Sequence, residues 1–355
     1  MHWQSKGGSM SKQLKRLWLL SSALSLIACS KISQPHKPEP PAPCEANSAS
    51  TNPAPSSVAP VSPPNGRAVK TEMRNVLFHL TDKVAAHLQI LSGELLPTGK
   101  NQMPVFDDKT SFSVHVTTGK ISITTDALAE IMNTHVFARS DAPLKALSIS
   151  IDKGRLIIKG KLHGKRDISF QTTGSVSVTS DGRIRMHSEK VKAFHVPVEG
   201  MMGLVGLGLA NIVNTSKIDG IETDKNDLLM DLATLLPPPH IEGKLTGVKI
   251  EDNSIVTYFG DGGRSSSAST QKGSYMSFQG NSVQFGKLIM EDTDLTVLDI
   301  DSSDTLDWNQ DRYKEQLVAG YSKITANFGL RAYVKDFAKL PRSSTHLPTA
   351  TPKTD

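Results

Sequence analysis

The chain predicts an α+β fold, a large curled antiparallel sheet wrapped around a few helices. Three observations carry that expectation. Between Asn75 and Phe259 apolar and polar residues alternate with period two in about ten stretches, the mark of strands with one buried and one wet face. Helical spacing recurs at only four places, and no βαβ order is visible. Finally, ten strands at ~4.8 Å spacing make a sheet roughly 48 Å wide, whereas four helices of ~10 Å diameter cover at most about 40 Å. A flat arrangement would leave apolar face exposed, so the sheet curls and has room for a cavity.

The whole chain has 355 residues, 37% of them hydrophobic, with only two cysteines. That is enough for one large or two ordinary domains, and it excludes a disulfide framework. The formal charge of +5 comes mostly from the leader, where Lys6, Lys12, Lys15 and Arg16 precede Cys29 without any acidic residue. Removing those four leaves 36 basic residues against 35 acidic ones. Nucleic-acid binding loses its electrostatic basis.

Residues 1–28 read as a lipoprotein signal peptide. A basic start is followed by an apolar stretch from Leu17 to Ala28, too short to span a bilayer, and Leu26-Ile27-Ala28-Cys29 resembles the bacterial lipobox. In that pattern Cys29 becomes the acylated N-terminus, and two acyl chains anchor what one holds only marginally. The rival reading is an ordinary secretory signal with a chance cysteine. By resemblance to lipoprotein sorting rules, Ser30 after the cysteine implies the outer membrane, with the body facing the periplasm.

Residues 29–66 read as a tether from that cysteine. Between Ser30 and Gly66 lie ten of the twenty prolines, mixed with Ser, Ala, Lys and Glu, a composition that cannot bury enough surface to fold. In polyproline geometry such a segment reaches up to roughly 100 Å. Cys44 lies within it, and no role is assigned to it.

The folded body follows, with residues 67–260 as its main domain. Strand pairs are separated by turn signals at Asp152-Lys153-Gly154, His163-Gly164-Lys165 and Ser180-Asp181-Gly182, the last between Val178 and Ile184. The first helix is expected after an Asp126 N-cap, with Leu128, Ile131, Met132, His135 and Val136 on one face. A second, glycine-rich helix is expected over Met201 to Val213, and a third from Leu228 to Leu236, stopped by three prolines. A flexible loop at 261–274 leads to further strands at Tyr275 to Phe278, Val283 to Met290 and Leu295 to Ile300. These extend the same sheet or form a small satellite layer. A fourth helix starts at Asn309 with Tyr313, Leu317 and Tyr321 on one face. Residues 275–340 thus complete the body, and 341–355 read as a disordered tail.

Catalytic signatures are missing: there is no G-x-S-x-G, Walker A, H-E-x-x-H or C-x-x-C pattern. The histidines are scattered singly. Eight acidic residues crowd Glu291 to Asp311, namely Glu291, Asp292, Asp294, Asp299, Asp301, Asp304, Asp307 and Asp311. Counted from Asp299, an EF-hand would need glycine and glutamate where Asp304 and Gln310 stand. The stretch therefore reads as a solvated acidic surface, and no metal or other cofactor is expected. Paired carboxylates for a glycosidase cannot be located from spacing alone. Gly200, Gly203, Gly206 and Ala210 give the second helix a bare face beside a greasy one, which serves either close packing or a flexible pocket lip. Helical spacing predicts that Ile131, Met132 and Val136, together with Met201, Met202, Leu204 and Leu207, line an apolar cavity.

Four segments carry a likeness to a known family: Gly119 to Asn133 (GKISITTDALAEIMN), Leu147 to Leu162 (LSISIDKGRLIIKGKL), Phe170 to Gly200, and Ala233 to Gly260. In order and spacing the run from Phe112 to Gly260 resembles the LmeA-like phospholipid-binding family, which is related to the tubular lipid-binding (TULIP) domains. The resemblance implies a TULIP-like fold that holds phospholipid. The expected molecule is then a non-enzymatic, membrane-anchored lipoprotein that binds phospholipid or another apolar lipid. Its alternative is an envelope scaffold with a solid core and a protein partner.

Overall fold

The computed structural model describes residues 68–164, 167–189, 191–194, 208–209, 212–264 and 272–341. All of them belong to one compact unit, Pro60–Asp355. Cys29, the tether, the tail, and Met201, Met202, Leu204 and Leu207 of the second expected helix lie outside the described residues.

Two long strands open the body, β1 (Val69–Thr81) and β2 (Val84–Pro97), followed by β3 (Phe112–Thr124). Helix α1 (Thr125–Ile131) continues into a wider π-helical turn, Met132–Val136. Strands β4 (Leu144–Asp152), β5 (Arg155–Leu162), β6 (Ile168–Val178), β7 (Ile184–Ser188) and β8 (Lys192–Phe194) come next. After them run β9 (Ile221–Asp224), β10 (Asp227–Met230) and the single turn α2 (Leu232–Leu235). Strands β11 (His240–Gly243), β12 (Leu245–Glu251) and β13 (Ser254–Phe259) complete the first half. The second half contains β14 (Tyr275–Gly280), β15 (Val283–Phe285), β16 (Leu288–Met290), β17 (Thr293–Asp299) and β18 (Leu306–Asn309). It ends with α3 (Tyr313–Val318), β19 (Tyr321–Ile324) and β20 (Leu330–Val334).

The expected α+β, TULIP-like architecture is corrected here, because the molecule is mostly β and its few helices are short. Two large sheets replace the single curled one. The first has eleven strands, with the path β12-β13-β3-β2-β1-β14-β17-β20-β19, β11 pairing with β3 and β18 with β1. The second has seven, in the order β4-β5-β6-β7-β10-β9 with β8 against β6. Over β3 and β13 the apolar face of the first sheet meets the second sheet across a shared cavity, and the strands of both carry the same period-two pattern. Alternation reports that a face is buried and is silent about what buries it. Nor is the pairing wholly antiparallel, since β1 with β18, β3 with β11 and β17 with β20 run parallel.

The late strands are inserted into the first sheet: β14 pairs with β1 from Val69↔Gly280 to Arg74↔Tyr275, and β17 pairs with β14. The β15–β16 hairpin forms a separate two-stranded layer.

Helical expectations fail where strands run into turns. The cap of α1 is Thr124 rather than Asp126: β3 hands over directly to the helix, Thr124 keeps extended backbone, and its hydroxyl accepts from the Ala127 N–H at 3.2 Å. The stretch expected as a helix from Leu228 is strand β10, paired on both sides by β7 and β9. Only Leu232–Leu235 turns helical, capped by the Asp231 carboxylate on Ala233 N at 3.0 Å. Asn309, expected to start a helix, ends β18. Its side-chain oxygen accepts from the backbone N–H groups of Asp311 and Arg312, and the helix begins at Tyr313.

One residue resets the buried face of β1. Val69, Thr71 and Met73 are buried at odd positions, then Val76 and Leu80 at even ones. The switch falls at Asn75, which adopts a φ of 50°, a conformation asparagine tolerates better than most residues. Its side chain is held from three directions. The amide donates to Ser274 Oγ at 2.8 Å, while Oδ1 lies 3.0 Å from His87 Nε2 and accepts from Thr305 Oγ1 at 3.1 Å. β2 makes the matching switch between Leu88 and Leu91, yet Val69, Met73, Val76, Leu88, Leu91 and Leu95 all pack in one of the two large cores of the molecule.

One of those cores is aromatic. Phe106, Phe278 and Phe285 pack with Tyr313 and Trp308 under β1, β14 and β18. The other lies between the sheets and contains the candidate site.

Candidate functional site

The space between the two sheets holds a cavity of about 150 Å³. The first sheet contributes Ile121 and Ile123 of β3 and Ile255 and Phe259 of β13; the second contributes Leu147 and Ile149 of β4, Leu156 and Ile158 of β5, Met186 of β7 and Leu228 of β10. Leu128, Ile131, Met132 and Val136 line it from α1 and the π turn, and Leu235 from α2. Every described lining residue is apolar except Thr257, whose hydroxyl is already satisfied by donating to the Ile121 carbonyl at 3.1 Å. Among the described residues no ionisable side chain lines the interior. The described lining offers apolar contact.

Ile131, Met132 and Val136 are brought together on the cavity wall, where the sequence placed them. Leu209, one of the described residues of the expected glycine-rich stretch, also lines it. The strands of the second sheet supply most of the remaining wall, and sequence reading did not assign them to it. Their signal was present as alternation, for Leu147, Ile149, Leu156 and Ile158 all fall on the buried register. What was missing was the knowledge that the facing layer is a sheet.

A local device holds the π turn open beside this wall. Thr134 Oγ1 donates to the Glu130 carbonyl at 2.7 Å, and Phe137 N reaches back five residues to Met132 O at 2.8 Å. Single wide turns of this kind are frequent at functional positions. On the next residue the Asn133 side chain acts as a piece of strand. Its Nδ2 donates to Leu147 O and its Oδ1 accepts from Leu147 N, both at 2.8 Å. Those backbone groups are free because the β4–β5 register shifts between Lys145 and Ser148, with Ala146 at a φ of 50°. Asn133→Ala strands both groups and is expected to lower stability by about 2 kcal/mol, checked by urea unfolding. Asn133→Asp, which keeps the acceptor and loses the donor, should fall between it and the unmodified protein.

The acidic stretch also departs from expectation. It is not uniformly solvated, since Asp299 and Asp307 are only 5% and 9% exposed. Burial pushes the Asp299 carboxyl up to about 7, aided by the charges of Asp336 and Asp304 and opposed by the hydrogen bond from Asp301 N. Folded protein therefore keeps a proton on Asp299 over a range in which the unfolded chain has lost it. Stability should decline as pH rises from about 4 to about 7, by on the order of 4 kcal/mol, and stay level above that. Melts in chelating buffer across that range check this, and Asp299→Asn should flatten the slope. Asp307 Oδ1 stands 2.7 Å from His79 Nε2, and the His79 ring meets Phe337 edge-on at 5.3 Å.

Together these features define a two-sheet β protein with an apolar intersheet cavity. No family model, curated protein or solved structure matches the chain.

Proposed function

We propose that the chain is a non-enzymatic lipid-binding lipoprotein of the bacterial envelope, anchored through acylated Cys29 and holding phospholipid or another apolar lipid by an acyl chain. The observation that carries the reading is the wall of the intersheet cavity, apolar among the described residues apart from one satisfied hydroxyl. An apolar space of this size favours an apolar guest over water. It is smaller than the roughly 300–1,000 Å³ of drug-sized sites, so a single chain enters first and a two-chain lipid must part the sheets or leave its headgroup outside. Met132, Met186 and Met230 on the wall are adaptable enough to accommodate a sliding chain.

Among the described residues no helix is long and apolar enough to cross a membrane, and the proposed anchor is the lipid on Cys29. The proposed location is the outer membrane, facing the periplasm. Titration with a fluorescent fatty acid tests the cavity. Saturable binding is expected, and Met186→Trp, which fills the space with an indole, should weaken it at least tenfold while leaving the fold intact. Equal binding by the filled variant would refute the site.

A second reading, the protein-binding envelope scaffold, is favoured by one observation. All four residues of edge strand β19 are exposed, and Val318, Ile324 and Phe328 beside or within it are 87%, 76% and 92% exposed. Such an edge can accept another strand. If the scaffold reading holds, the purified protein carries no lipid and Ile324→Lys abolishes its association with envelope protein.

A further inference from the structure

Three carboxylates from separate segments converge at one end of the first sheet. Asp299 closes β17, Asp304 lies in the loop before β18, and Asp336 follows β20; one oxygen from each lies within 4.8 Å of the others. Backbone contacts fix the arrangement. Asp336 Oδ1 accepts from the Asp307 N–H at 3.0 Å, and Asp299 Oδ1 from the Asp301 N–H at 2.9 Å. The other Asp299 oxygen, Oδ2, is buried and receives no hydrogen bond from the protein. The side chain that faces Asp299 there is a second carboxyl group, Asp304. Two acids in that relation need a cation or a proton between them. The Lys339 ammonium spans Asp304 Oδ2 at 3.1 Å and Asp336 Oδ2 at 2.8 Å from a half-exposed side chain, and it does not reach Asp299.

We propose that Asp299, Asp304 and Asp336 form a binding site for a divalent cation, calcium by its chemistry. The donor set is all hard oxygen, with no imidazole or thiolate. Oxygens on opposite sides of a calcium ion stand up to about 5 Å apart, and the flexible coordination of calcium tolerates water in the remaining positions. Bound there, the ion satisfies the buried Asp299 oxygen and ties the end of β17 to the segment after β20. This is not an EF-hand. Its third ligand comes from beyond β20, which is why linear spacing from Asp299 did not show it.

The test is calorimetric titration of chelator-stripped full-length protein at pH 8, with thermal melts alongside. One calcium per chain is expected, and at a hundredfold excess over the Kd the midpoint should rise by about 5 °C. Magnesium, which demands tighter octahedral geometry, should bind at least tenfold more weakly. Asp299→Asn should lose calcium binding at least tenfold; Asp304→Asn, at an exposed position, gives the same readout without risk to the fold. Absence of both heat and midpoint shift up to about 10 mM calcium would overturn the proposal, as would unchanged affinity in the two variants. A midpoint that follows pH near neutrality and ignores calcium would mean that a proton occupies the position, and the metal assignment would then be wrong.

Discussion

Replacing Trp308 with alanine is expected to cost about 4 kcal/mol, the largest loss from any single truncation considered for this protein. The indole is fully buried. It stacks on Tyr313 at 5.8 Å and 27°, and its Nε1 donates to Gln310 Oε1 at 3.3 Å. Gln310 in turn donates to the Phe106 carbonyl at 3.0 Å, and the Phe106 ring stacks on Phe285 at 3.8 Å. Removing the indole thus empties a large space and frees a buried amide that anchors the 98–111 loop. Trp308 also sits in the parallel pairing of β18 with β1, opposite Phe78, so the loss should appear as cooperative unfolding rather than local fraying. Guanidinium unfolding of Trp308→Ala and Trp308→Phe checks this, and the phenylalanine variant should recover more than half of the difference.

Met132→Asp is expected to abolish lipid capture while the protein stays folded. Met132 is only partly buried, at the π turn on the cavity wall, so a carboxylate there can reach solvent in the empty protein. A chain entering the cavity would have to desolvate it, at a cost of several kcal/mol against an acyl segment whose gain is about 0.8 kcal/mol per buried CH₂. Binding should fall by at least a hundredfold. Leu156→Asp, at a fully buried position of the same wall, should unfold the protein instead. The contrast separates a ligand cavity from an ordinary core, in which both substitutions would act alike.

Strand content was legible in the sequence because Phe112 to Val116 and Leu147 to Ile151 alternate cleanly, and the Ser180-Asp181-Gly182 turn is followed by the pairing Val178↔Ile184 with Gly182 at a φ of 85°. The division into two sheets was not legible. Alternation is identical for a strand that faces a helix and one that faces another strand, and Asn75 breaks the period inside a strand that is otherwise continuous. Leucines at 228, 232, 235 and 236 mimic a helical stripe, but β7 and β9 on either side of β10 compete more effectively for its backbone. At the cavity, Ile131, Met132 and Val136 could be read because helical spacing marks one face. The acidic site could not, because Asp336 approaches Asp299 only through the parallel pairing of β17 with β20. For Asn133, nothing local in the sequence shows that a strand with an open backbone pair lies opposite it.

Native mass spectrometry of the protein, purified without detergent from a bacterial host, tests the central claim most directly. The account expects a population carrying one lipid-sized adduct per chain, lost on organic extraction, restored by added lipid, and missing from Met132→Asp. A bare mass in both proteins, with no adduct formed when lipid is returned, would contradict it.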